Sequence, residues 1–247
     1  MNLDGPRIRA VVRKELLDYR RKRAIVVSMF LLPILFLVEP IVSIFLASPV
    51  ESNAALDKYV ILPLLYLLLI AVVMPSTLAA FTVVGEREQG TLEPLLTTPL
   101  RQLELILGKA AAVMIPSVAL SYLVYGIFLV AVALFAHPAI SSAVFHDGPI
   151  LLALFLFAPL VAGWSVVVGM AVSVRASEVR VAQQLGMLAS LPITGVVVLF
   201  AIGVIQPTFT TAIAFAAGIL AIDVLALRIV SRMFDRERLI TGTKATR

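Results

Sequence analysis

The sequence predicts an all-α membrane protein: six transmembrane helices, an interfacial amphipathic helix before the first, and a short amphipathic helix on the cytoplasmic side between the second and third. Three observations carry this. The 247 residues are 61% hydrophobic and 14% charged, with a mean hydropathy of +1.05, whereas soluble domains run at about 45–50% apolar and about 25% charged. Six apolar runs each reach the roughly 20 residues needed to cross a hydrocarbon core of about 30 Å. Basic residues gather on alternate connections between those runs. Together these exclude a soluble globular enzyme, a disordered chain and a coiled coil. A transmembrane β-barrel is excluded too, because its strands are short and alternating.

Residues 1–23 form the first element. Ile8, Val11, Val12, Leu16 and Tyr19 recur at helical spacing, with Arg9, Arg13, Lys14 and Arg20 off that face. Such a helix lies in the cytoplasmic interface, either as a topological anchor or as a contact surface for a cytoplasmic partner. The membrane domain follows over 24–231, with spans at about 24–47, 59–85, 109–136, 149–174, 183–206 and 209–231. The first is too long for a signal-peptide core of about 7–15 residues and reads as a retained span. Pro33, Pro40, Pro63, Pro75, Pro116, Pro159 and Pro192 sit inside spans. They predict kinks rather than ends, since neighbouring helices can satisfy the freed carbonyls. Residues 232–247 form a cytoplasmic tail.

Lysine and arginine set the orientation. The N-terminal segment, the loops after the second and fourth spans and the tail hold 19 of the 20 basic residues, leaving only Lys58 on the other side. Both termini are therefore expected in the cytoplasm of a multi-pass protein of the cell membrane. The net charge of +5 is this bias and calls for no nucleic acid. With no cysteine and only His137 and His146, neither a disulfide framework nor a metal site is expected.

The cytoplasmic stretch 85–108, GEREQGTLEPLLTTPLRQLELILG, differs from the other connections. Gly90 can end the helix arriving from the second span by taking the left-handed conformation. Thr91 suits an N-cap, and Glu93 in the following turn suits the helix dipole. Leu92, Leu95 and Leu96 make an apolar stripe, and Thr98-Pro99 is a second helix start. A leucine stripe at the membrane's inner face belongs either in the lipid interface or in a partner's groove.

Glu86-x-Glu88-x-Gly90-Thr91-Leu92-Glu93-x-Leu95-Leu96-x-Thr98-Pro99, followed by Gly108-Lys109, closely resembles the signature of ABC exporter permeases of type 2. The N-terminal helix, the six spans and the stretch Ser177–Gln184 leading to Leu191-Pro192 resemble that family as well. The resemblance implies that residues 86–99 form the coupling helix touching a separate ATPase subunit. It further implies two ATPase copies, and a second permease chain in a homodimer or heterodimer that encloses the pathway. ATP and Mg would be bound by the ATPase. The short 206–208 connection makes the chain similar to the compact exporter permeases rather than to those with large external domains.

The chain holds no G-x-x-x-x-G-K-[ST] phosphate loop, and Gly108-Lys109 opens an apolar run, so no catalytic residue and no cofactor are assigned to it. Glu39 and Asp223 stand within the first and sixth spans, where charge is costly and marks a functional site by default. Each is a pathway group or a structural one, Glu39 by reaching the outer interface or staying protonated and Asp223 by pairing with a basic residue such as Arg228 near the inner surface. If they couple to ions, the chain is a gradient-driven secondary transporter, the alternative to an ATP-driven exporter subunit.

Overall fold

The computed structural model describes residues 3–46, 63, 66–91, 98, 100–146, 148–201, 204–206 and 208–233. These are helical: α1 (Gly5–Arg21), α2 (Arg23–Leu46), α3 (Ile70–Ala80), α4 (Val84–Glu88), α5 (Gln102–Phe135), α6 (Pro138–His146), α7 (Gly148–Arg175), α8 (Val179–Ala201) and α9 (Phe209–Met233). Six stretches are long and apolar enough to cross a membrane: α2, α3 with α4, α5, α7, α8 and α9. Pro33, Pro40, Pro75, Pro116, Pro159 and Pro192 all lie inside helices, the outcome predicted for a bundle whose neighbours can absorb a freed carbonyl.

The second span is the axis of the bundle. Its most apolar window is 83% buried, against 17% for the windows of α2 and α9. Small residues explain how it reaches the centre: α3 carries Ala71, Ser76, Ala79 and Ala80, all solvent-free. A Cβ added at Gly169 of α7 would fall 2.6 Å from the Ala79 Cβ, so the α3–α7 crossing depends on having no side chain there. Close backbone approach at small residues is the usual basis of helix association in lipid, where apolar packing gains nothing over lipid tails. Hydroxyls stay internal: Ser117, Ser121, Ser190 and Thr194 each donate to the carbonyl four residues back, which removes an orphan donor from the apolar interior.

The chain departs from its sequence reading in four places. The second span is not one helix to residue 85: it breaks at Phe81–Val83 and resumes as the short α4. The third helix begins at Gln102 rather than 109, because Leu103, Leu105 and Ile106 continue the apolar pattern and the Glu104 carboxylate accepts the Arg101 backbone N–H at 3.0 Å. At 34 residues it runs to about 51 Å, longer than a hydrocarbon core of about 30 Å. The fifth span starts at Val179 rather than 183 and its helix ends at Ala201. The 137–148 connection holds a helix of its own, α6.

Replacing Gly169 by valine should separate α3 from α7. Overpacking a filled contact costs about 1–3 kcal/mol, so the purified variant should melt at lower temperature than the wild type, while Gly195→Val, where the added Cβ meets nothing within 4 Å, should melt as the wild type does.

Candidate functional site

The break in the second span is the origin of the site. Beyond Ala80 the helix ladder is interrupted, and the amides of Val83 and Val84 lose their helical acceptors. Ser173 of α7 replaces them: its hydroxyl oxygen accepts both N–H groups at 3.2 and 3.1 Å and donates to the Ala80 carbonyl at 2.8 Å. The chain then makes the single turn and a half of α4 and stops. Gly90 has φ +67; its N–H bonds the Arg87 carbonyl at 3.1 Å and the Thr91 N–H bonds the Glu86 carbonyl at 2.9 Å. That pair of bonds is the Schellman closure, and its left-handed residue favours glycine.

On so short a helix, successive residues point about 100° apart, and Glu86, Arg87 and Glu88 fan out to different elements. Arg87 donates to the carbonyls of Val174 and Ala176 at 3.0 and 3.2 Å, placing a cation at the negative end of α7. Glu88 accepts the Val179 backbone N–H at 3.1 Å, an anion at the positive end of α8. Opposite charges thus satisfy the orphan groups of two consecutive helix ends.

Glu86 turns inward. Its carboxylate lies 2.7 Å from Lys109 Nζ of α5 and 2.6 Å from Lys14 Nζ of α1. Lys109 also contacts Glu15 of α1 at 2.9 Å and donates to the Thr82 carbonyl, inside the broken turn, at 2.7 Å. Lys14 spans Glu15 and Asp18 at 3.2 and 3.3 Å. Glu15, Glu86 and Lys109 are all but sealed, at 3%, 3% and 1% exposure. Burial alone would push the Glu15 carboxyl up, but the Lys109 and Lys14 ammoniums outweigh it and hold it below its usual range. Burial likewise works against the charge of Lys14, and the Glu15 and Glu86 carboxylates overcome it and raise that group. The Tyr19 phenol, buried first and flanked by Glu15, Glu86 and Asp18 second, is pushed well up and stays neutral.

Helix α1 reaches this cluster because nothing stands in its way at Gly108, where an added Cβ would lie 2.7 Å from Val11. Val11, Glu15 and Tyr19 form its buried line. Nearby, Glu104 accepts the Asp4 N–H at 3.1 Å, and Arg7 approaches the same carboxylate at 3.8 Å.

A family model described as ABC-2 type transporter matches residues 6–200. The chain belongs to the ABC-2 type transporter family. It is a multi-pass membrane subunit of an ABC transporter, the permease part without the ATPase domain, and membership implies partnership with an ABC ATPase. The gradient-driven alternative is thereby set aside. No curated protein matches the chain. The matched stretch contains every member of the ion cluster.

Of the residues that the sequence singles out in this ABC-2 permease, Glu86, Glu88 and Gly90 are placed as above. Thr91 donates from its hydroxyl to the Glu86 carbonyl at 3.3 Å, and Thr98 lies in a bend. Leu92, Glu93, Leu95, Leu96 and Pro99 lie outside the described residues. Glu39 is exposed on α2 and accepts from Ser43 at 2.7 Å. Asp223 on α9 packs against α7, its Oδ2 2.8 Å from where a Cβ of Gly163 would sit; no ion pair joins it to Arg228 among the described residues. Neither carboxylate joins the cluster. Sequence reading passed over Lys14, Glu15 and the ionic role of Lys109. Glu15 was findable, since it sits four residues from both Val11 and Tyr19 on the buried face, whereas the tie of Lys109 to Glu86 spans a connection whose course no periodicity reports.

Removing one member of a buried ion cluster leaves an unpaired charge and costs about 3–5 kcal/mol. Lys109→Met should therefore lower the melting temperature steeply and expose α1 to protease, and adding Glu86→Gln should restore part of the loss. Acid should act the same way. With its value depressed on folding, Glu15 stabilises the docked α1 fully above the ordinary carboxylate range and loses that contribution as pH falls through its lowered value. Protease sensitivity of α1 in the wild type should rise only there, and Glu15→Gln should remove that step.

Proposed function

We propose that this subunit lines the pathway of an ATP-driven exporter and that α4, with the following stretch to residue 99, receives the stroke of the ATPase. One observation supports the reading above all: Glu86, Arg87 and Glu88 tie α4 to α1, α5, α7 and the start of α8. A push on α4 is thus carried by short polar contacts into four elements at once. Helix α1 is the second cytoplasmic contact. Glu86, Glu88, Gly90 and Thr91 hold the joint, and Leu92, Glu93, Leu95 and Leu96, followed by Thr98-Pro99, supply the apolar stripe and charged first turn that dock into the ATPase. Both termini lie in the cytoplasm, with 1–23 as the connecting helix, 24–231 as the membrane domain and 232–247 as the tail.

Two permease chains, identical or related, enclose the pathway, and two ATPase copies bind ATP and Mg. Closure of the ATPase pair favours the outward-facing arrangement, because that arrangement binds the closed pair better. Glu39 and Asp223 then stand as intramembrane charges of the pathway or of its packing.

The cysteine-free chain makes the test clean. Single cysteines at Gln89 and Ser177 should react with an impermeant reagent only after the membrane is opened, and one at Ser142 should react from outside. Leu96→Asp places a charge in an apolar contact, a cost of several kcal/mol; it should leave permease expression and melting unchanged and abolish co-purification of the ATPase. Glu93→Lys should weaken permease-stimulated ATP hydrolysis. Full ATPase binding and transport by Leu96→Asp would move the docking site to α1.

A further inference from the structure

Where α1 folds back toward α2 and α5, a cleft of about 840 Å³ opens on the side of α1 away from the ion cluster. Its floor is apolar: Leu16 of α1, Met29 and Phe30 of α2 and Leu120 of α5. Its rim is cationic. Arg9, Arg13 and Arg20 line it, spaced so that all three fall within a narrow stripe of the helix, and all three are exposed. No carboxylate among the described residues forms an ion pair with any of them, although the same helix places Lys14 against three carboxylates and Lys22, just past its end, lies over the Phe81 ring at 5.8 Å. Three unneutralised guanidiniums thus border a greasy slot at the point where an interfacial helix meets a membrane span.

We propose that this cleft binds one anionic phospholipid of the inner leaflet, its phosphate held by Arg9, Arg13 and Arg20 and an acyl chain lying along Leu16, Met29, Phe30 and Leu120. The chemistry fits both halves of the ligand. Guanidinium forks pair with phosphate oxygens in two-bond geometry, anionic headgroups attract basic juxtamembrane residues, and the slot shields a chain from water in the direction in which α2 enters the bilayer. A zwitterionic lipid would fill the slot without neutralising the rim. A soluble acidic protein surface would neutralise the rim without filling the slot. The inference rests on α1 lying at the cytoplasmic face, as proposed above.

The full chain is purified with its ATPase from vesicles of phosphatidylcholine alone and from vesicles mixed with phosphatidylglycerol, and retained lipids are counted by native mass measurement. Wild type should keep phosphatidylglycerol in preference to phosphatidylcholine. Arg9→Gln/Arg13→Gln/Arg20→Gln should lower that preference by about tenfold or more, while Arg175→Gln/Arg228→Gln leaves it unchanged. Leu120→Trp, which fills the slot and keeps the arginines, should also lose the lipid. Inorganic phosphate should not displace it. Equal retention of both lipids, unchanged retention by the triple variant, or displacement by phosphate alone would overturn the proposal. So would a triple variant that loses the ATPase while keeping the lipid, which would assign the rim to the motor. Failure of the wild type to bring down ATPase in either vesicle would instead count against the coupling reading, with the lipid count still deciding this one.

Discussion

The salt-bridged lysine at position 109 is the constraint on which this end of the molecule depends. An ammonium that is 1% exposed is tolerable only when its partners are present, and its partners come from three separate parts of the chain: Glu15 on α1, Glu86 on α4 and the Thr82 carbonyl in the broken turn. Helix α1 is a separate element ahead of the first span, α4 has five residues, and the turn keeps only the short bonds from Phe81 to Leu78 and from Thr82 to Ala79. Desolvating the charges is unfavourable, and in the arrangement adopted Glu15, Glu86 and Lys109 compensate one another across α1, α4 and α5.

Much of the fold was legible in the sequence because lipid imposes a strong rule. Where no water can satisfy a backbone group, an apolar run of sufficient length must be a helix, and the six spans follow. The left-handed Gly90 was legible for a similar reason, since few residues other than glycine tolerate that backbone. What escaped was the interruption at Phe81–Val83. Nothing in Ala80-Phe81-Thr82-Val83 signals a break; the hydroxyl that satisfies the freed amides belongs to Ser173, ninety residues further on. The early start of α5 escaped because Glu104 looked like a loop residue, although its carboxylate accepts the backbone N–H groups of Asp4 and Arg101 and becomes an internal contact.

The site was half legible. The acidic and glycine positions of the 85–99 stretch stood out by motif, but the motif alone could not separate the residues that face the bundle from those that face outward. The structure divides Glu86 from Glu88: one is buried against two lysines and the other caps α8. The two carboxylates within the spans stood out by cost alone. They occupy different settings, Glu39 beside Ser43 on an exposed helix face and Asp223 against the bare backbone of Gly163.

The interruption at Phe81–Val83 has a mechanical meaning. In an unbroken helix the stiffness of the hydrogen-bond ladder would make α3 and α4 a single rod, and any tilt at one end would reappear at the other. Here the two segments share only a turn, and α4 takes its bearing from side chains of α1, α5 and α7. The pivot is carried by Ser173 on α7, through three bonds to the Ala80 carbonyl and the amides of Val83 and Val84. Two sets of contacts therefore meet α4, the short turn that joins it to the second span and the side-chain ties to α1, α5 and α7. The orientation of α4 is to that extent set by its neighbours in space rather than by the helix that precedes it in the chain.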